Sequence, residues 1–213
     1  DGNVTVYPGH GAGSACGKNM MKETVDSLGN QKIVNYALNG KFSKTEFIKE
    51  LTDNLPEPPS YFPSIVKMNQ DGYDDIPDIL KRSLIDLSPQ KFKSSAESNQ
   101  AVILDTRDAS AFCEAHIPGS LFIGLSGSFA PWVGMLVKGV NQPILIVSDE
   151  NKKQEAIMRL SRVGYDNCIG FLDGGIQSWL SAGFPTAKVD AKLPVEIENS
   201  LSEIRLIDVR RPG

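Results

Sequence analysis

Between an apolar run at 144–147 and a helical pattern that follows it lies the segment Ser148-Asp149-Glu150-Asn151-Lys152-Lys153. A turn from a strand end into a helix start offers backbone N–H groups and a positive helix end to an anion. These residues suit that task poorly. The Ser148 hydroxyl is essentially un-ionised at neutral pH, and no histidine lies in the stretch to act as its base. Asp149 and Glu150 bring negative charge to the place where an anion would sit. Asn151 and Gln154 have the spacing of a capping box, which would satisfy with side chains the N–H groups that a binding loop leaves free. Lys152 and Lys153 supply point charges without the planar fork of arginine.

Other reactive side chains are few. Cys16, Cys113 and Cys168 are odd in number and irregularly spaced, which suggests neither a disulfide framework nor a zinc site. Cys16 reads as a small buried thiol. Cys113, inside a helical stretch, and Cys168, at the start of a strand, read as buried framework thiols, which are inert. The two histidines are His10, exposed by the glycine-rich turn PGHGAGSACGK, and His116. A metal needs three or more converging ligands, and one imidazole at His10 does not provide them.

The elements that hold these residues follow from periodicity. Ile144 to Val147 is continuous, β-branched and apolar, as in a parallel strand covered on both faces. Ala156, Ile157, Leu160 and Val163 fall at helical spacing, and Gly164 stops that helix. Cys168 to Leu172 forms the next strand, and Gly174-Gly175 turns the chain into another helix. Further strands are expected at Ile85 to Leu87, Val102 to Asp105 and Leu121 to Gly124, with a helix opening at Ser88-Pro89. Phe129 to Val137 reads as a core-facing helix with Pro131 in its first turn and its aromatic and Met residues used for packing. Strands alternating with helices require an α/β fold, a parallel sheet with helices on both faces. Upstream, Val4 to Tyr7 is a short strand, Ser43-x-x-Glu46 a capping box, and NLPEPPSYFP an extended segment. Residues 67–81 read as a polar connector.

Two stretches resemble known families. Gly164-Tyr165, Gly174-Gly175 and Trp179, with LDTRDASAFCEAHIPGS at 104–120, resemble the rhodanese family over residues 84 to 187. In that family a catalytic Cys ends the strand, and here Ser148 stands in its place. The family's matching Asp and Arg tie the fold together, which implies structural work for Asp105 and Arg107, and His116 is likewise read as a structural hydrogen-bonding residue. PGHGAGSACGK resembles the late part of a metallo-β-lactamase-fold domain of the kind fused to rhodanese in persulfide dioxygenases. The resemblance implies three segments: 1–75, the C-terminal part of a metallo-β-lactamase-fold domain; 84–190, a rhodanese-like domain of inactive type; and 195–213, the first strand of a second copy. The last rests on ILDTR at 103–107 recurring as LIDVR at 206–210, where Asp208 and Arg210 match Asp105 and Arg107. On this reading the chain is a piece of a longer fusion. Iron or zinc is expected in the parent's metallo-β-lactamase-fold domain. No metal or other cofactor is expected in this chain, where His10 belongs to an incomplete site.

A formal net charge of −4 argues against a nucleic-acid surface, and no apolar run is long enough for a bilayer. A cytoplasmic setting is expected, with neighbouring domains of the parent and a homo-oligomer as partners. The function expected is that of a catalytically inactive rhodanese-like module that scaffolds the active domains of a persulfide dioxygenase/sulfurtransferase fusion. The alternative is a sulfurtransferase, or a metal-dependent hydrolase or dioxygenase, in its own right.

Overall fold

A computed structural model describes residues 1–9, 23–53, 59, 61–190, 192–198 and 204–207. His10, Cys16, Asp208 and Arg210, and most of the proline-rich stretch before Tyr61, lie outside the described residues. The chain divides into two compact units, Asp1–Glu57 and Pro58–Gly213.

In the first unit β1 (Thr5–Val6) pairs antiparallel with β2 (Asp26–Ser27). Helix α1 (Leu28–Val34) opens on Ser27, whose Oγ accepts from the Asn30 N–H at 3.1 Å. Helix α2 (Lys44–Thr52) has the expected capping box: Ser43 Oγ accepts from the Glu46 N–H, and the Glu46 carboxylate accepts from the Ser43 N–H at 2.8 Å.

The second unit begins with α3 (Phe62–Asp71) and α4 (Ile76–Ser83), then β3 (Asp86–Leu87), α5 (Pro89–Ser98), β4 (Val102–Asp105), α6 (Ala109–Glu114), β5 (Leu121–Phe122) and α7 (Phe129–Leu136). It continues with β6 (Ile144–Val147), α8 (Lys153–Ser161), β7 (Cys168–Leu172), α9 (Gly175–Ser181) and the short α10 (Pro194–Ile197). The five strands form one all-parallel sheet in the order β3-β7-β6-β4-β5. Its central strand, β6, is fully buried along its length, as an uninterrupted Ile-Leu-Ile-Val run requires. Because side chains alternate across a strand, its four residues divide between two cores. Ile144 and Ile146 join Leu104, Val133, Ile157 and Leu160 on the face covered by α7 and α8, with Tyr61 and Ile79 from the α3 and α4 region. Leu145 and Val147 join Phe92, Ile176 and Trp179 on the face covered by α5 and α9.

The close seat of Tyr61 depends on Gly134. A Cβ there would lie 2.0 Å from the Tyr61 ring, so only glycine lets α7 accept that ring. Gly164, at φ +75°, turns the chain out of α8, and the hydroxyl of Tyr165 donates to the Val137 carbonyl at 3.0 Å.

Two expectations need correction. Residues 67–81 are not a connector: they carry the end of α3 and most of α4, where Ile79 is buried in the core. α7 faces the core through Phe129, Val133 and Gly134, with Ala130 packed against it, while Trp132, Met135 and Leu136 are each about half exposed. Of the LIDVR repeat only Leu206 and Ile207 are among the described residues, and the remainder of the expected strand lies outside them.

Candidate functional site

The carboxyl end of β6 delivers the chain to Ser148. Ser148 is buried, and its Oγ has no solvent access and no hydrogen-bond partner among the described residues. Asp149 and Glu150 follow, both exposed, and a single 3₁₀ turn spans Glu150–Lys152, closed by the Lys152 N–H donating to the Asp149 carbonyl at 2.9 Å. This turn overturns the expected Asn151–Gln154 capping box. It shifts the start of α8 to Lys153, and no side chain caps that helix. The two lysines also part company. Lys152 stays near the surface, 3.1 Å from Glu155, and its hydrogen bond is the first cause of the Glu155 carboxyl lying below its ordinary range.

Lys153 turns inward. Its Nζ donates to Asp86 Oδ1 at 2.6 Å and lies 2.6 Å from Glu150 Oε2, above the Phe171 ring at 5.8 Å from its centroid. Burial works against the ammonium, but the hydrogen bonds it donates to Asp86 and Glu150 outweigh that and raise the pKa. The cation best placed to face an anion in the loop is thus tied by two carboxylates, one on edge strand β3 and one in the loop itself. Asp86 escaped the reading of the sequence, because nothing local to it or to the loop marks a partner 67 positions away.

The residues around this segment fasten it to the sheet. Thr106 Oγ1 donates to the Val147 carbonyl at 3.2 Å, joining the ends of β4 and β6. Arg107 grips Asp105 through Nε and Nη2, the latter at 2.6 Å from Oδ2, and Nη2 also donates to the Ala115 carbonyl at 2.8 Å. Both side chains are buried, so the fork satisfies a carboxylate that water cannot reach. His116 stacks on Phe112 at 3.9 Å between ring centroids, with Nδ1 2.9 Å from the Phe112 carbonyl, and its backbone exchanges hydrogen bonds with Ala187. Trp179 donates through Nε1 to the Pro185 carbonyl at 2.9 Å.

The described thiols stand apart from the loop's chemistry. Cys168 is buried, and burial pushes its pKa up to about 12. Cys113 is only partly buried, contrary to the framework reading, because it sits on the short helix α6, none of whose residues is fully covered. Among the described residues no three His, Cys, Asp or Glu side chains converge to hold a metal, and no helix is long and apolar enough to cross a membrane.

An all-parallel sheet with helices on both faces, whose central strand ends in a loop that precedes a helix with the Asp105–Arg107 fork at its side, is an α/β fold. Residues 88–182 match the family model of the rhodanese-like domain. The chain is also similar to a solved structure described as a metallo-beta-lactamase from Staphylococcus aureus, with 26% identity and a TM-score of 0.57. That match covers 79% of this chain and 44% of the other, so the present chain spans less than half of that protein. Residues outside 88–182 make up little more than half of the chain, so a match of this extent runs through the rhodanese-like segment as well. Two further likenesses are a rhodanese-like domain from Anabaena sp. (21% identity, 44% of this chain and 98% of that one, TM-score 0.40) and a polysulfide-sulfur transferase from Wolinella succinogenes (17%, 59% and 89%, TM-score 0.41).

Proposed function

We propose that the rhodanese-like domain is a sulfurtransferase fold without sulfurtransferase chemistry, a module of a metallo-β-lactamase-fold/rhodanese fusion that scaffolds its catalytic domains in persulfide metabolism. The observation that carries this reading is the state of the 148–153 loop. A transfer site needs an ionisable soft nucleophile, free N–H groups and an available cation. Ser148 offers a sealed hydroxyl, and Lys153 is held between Asp86 and Glu150. The fusion is supported by the S. aureus match, which spans more of this chain than the rhodanese-like segment alone. The partners proposed are the neighbouring domains of the parent chain and a second copy of it, in the cytoplasm.

A metal belongs, on this reading, to donors that the described residues do not supply, since no three of them converge.

The test is a thiosulfate:cyanide assay on the 213-residue chain. Turnover at background level is expected. A rate like that of an active sulfurtransferase, lost on changing Cys113 or Cys168, would overturn the proposal.

A further inference from the structure

The outer face of α7 is apolar and lies between two clefts. Trp132, Met135 and Leu136 fall at helical spacing and are each about half exposed. A cleft of about 470 Å³ runs beside Trp132 and Leu136, and one of about 290 Å³ beside Met135 and Leu136. Neither is lined by a carboxylate, and the helix itself carries no charged residue. A half-exposed tryptophan with a depression on each flank has the anatomy of an interface centre, a bulky anchor beside places that can receive one.

Charge stands at the two ends of this face. Lys138 follows the C-terminal end of α7 and lines the smaller cleft. Asp108 stands towards the other end, between the Arg107 and Ala109 that line the larger one. A Cβ at Gly124 would lie 3.2 Å from the Arg107 carbonyl, so this turn rests against the chain that leads through Ser126 and Ser128 into α7. Lys138 and Asp108 are both exposed, and neither side chain has an ion-pair or hydrogen-bond partner among the described residues. Arg107 is already matched by Asp105.

A positive end, a neutral apolar middle and a negative end form a surface complementary to itself. When α7 of one copy lies antiparallel on α7 of another about a twofold axis, Lys138 of each reaches the Asp108 end of the other. Trp132 of each then meets Leu136 of the other. A parallel pairing would set like charges together, and a partner of one sign of charge would match one end and repel the other.

We propose that this face joins two copies of the chain, α7 against α7, with Trp132 as the central anchor and the Lys138–Asp108 pair made twice at the rim. The proposal rests on the reading of a second copy as a partner, to which it gives a surface, and is independent of the state of the 148–153 loop.

Sedimentation of the 213-residue chain at about 100 µM should show a dimer that dissociates on dilution. Trp132→Ala should weaken it about thirtyfold, the scale of a central anchor. Lys138→Glu and Asp108→Lys should each weaken it about tenfold, since each sets like charges together at both ends of the pair. An equimolar mixture of those two variants should recover most of the loss, because the mixed dimer again joins opposite charges at both ends. Both changes are at exposed positions, so the mixing experiment decides the matter without disturbing the core. A wild-type chain that stays monomeric overturns the proposal along with the second copy as its partner, and leaves the face to a neighbouring domain of the parent. A dimer that Trp132→Ala leaves intact, or charge variants that fail to recover on mixing, overturns this surface and leaves the second copy as a partner by another.

Discussion

Lys153 Nζ and Asp86 Oδ1 lie 2.6 Å apart, joining the first residue of α8 to the edge strand of the sheet across 67 positions of sequence. The lysine is buried, whereas Asp86 is half exposed and the third member, Glu150, is largely in water. Removing the ammonium therefore strands no buried carboxylate. Lys153→Met should cost about 1.5–3 kcal/mol, the range for hydrogen bonds to a charged group, read as a lower urea midpoint at neutral pH. The pH dependence has a definite sign. A lysine whose folded pKa is raised contributes stability that is fully present below its unfolded value of about 10.4 and is lost as pH rises through the folded value. The gap between wild type and Lys153→Met should thus be constant from pH 6 to 9 and narrow above about pH 10.5. A gap that is already shrinking near pH 8 would place the ammonium elsewhere.

That contact also marks the limit of what the sequence conveyed. The sheet was legible because Ile144 to Val147 has no polar residue to permit any but a doubly covered strand, and because Gly164 stops α8 at its edge. The 67–81 stretch was not. The end of α3 and the turn after it, 67–75, are mostly polar, and Ile79 is the one fully buried apolar side chain of the two helices, so the stretch reads as a connector. Asn151 was misread for a related reason: its spacing to Gln154 fits a cap, but a 3₁₀ turn takes up the residues and moves the helix start to Lys153. At Trp132, hydrophobicity alone marks the core, and half the apolar face of α7 points away from it. At Ser148 the residue type alone suggests a weak nucleophile. The tie of Lys153 to Asp86 needed the fold.

Gly134 makes a sharp prediction about how the second unit is held together. In an exposed helix Gly→Ala would stabilise by about 1 kcal/mol. Here the new methyl would meet the Tyr61 ring at 2.0 Å, and overpacking of this kind costs roughly 1–3 kcal/mol. Gly134→Ala should be destabilising in the wild-type background and neutral or stabilising in a Tyr61→Ala background, as measured by a double-mutant cycle in urea. Additivity of the two changes would mean that the ring and the glycine do not meet.

Cys168 should behave as an inert thiol with a price at high pH. Its pKa of about 12 against about 8.5 in the unfolded chain means that folding is favoured fully only below the unfolded value and loses ground as pH rises towards the folded one. Between pH 8 and pH 10 this group alone should remove about 2 kcal/mol of stability. Cys168→Ala should abolish that portion of the pH slope, although it leaves a small void. Iodoacetamide at pH 8 should modify Cys113, which is partly exposed, well before Cys168. Mass spectrometry of the labelled peptides checks the order, and early labelling of Cys168 would contradict its burial.

The last prediction concerns the loop. Ser148→Cys alone should not create a working transferase. The new sulfur would occupy the place of an oxygen with no solvent access, where desolvation raises a thiol's pKa, as it does at Cys168. The positive end of α8 would oppose this by about 0.3–1 kcal/mol, which is less than one pKa unit, or 1.36 kcal/mol at 25 °C. The cation that could do more, Lys153, is engaged with Asp86 and Glu150. Replacing the whole of residues 148–153 with a Cys-led, glycine-containing loop that ends in Arg restores nucleophile, N–H cradle and free cation together. It also removes both Glu150 and the lysine of the tie. Persulfide formation after thiosulfate treatment, followed by mass spectrometry, should therefore appear in the loop replacement and stay at background in Ser148→Cys. Equal and efficient loading of the two would show that the pocket is still open and that the nucleophile alone was lost.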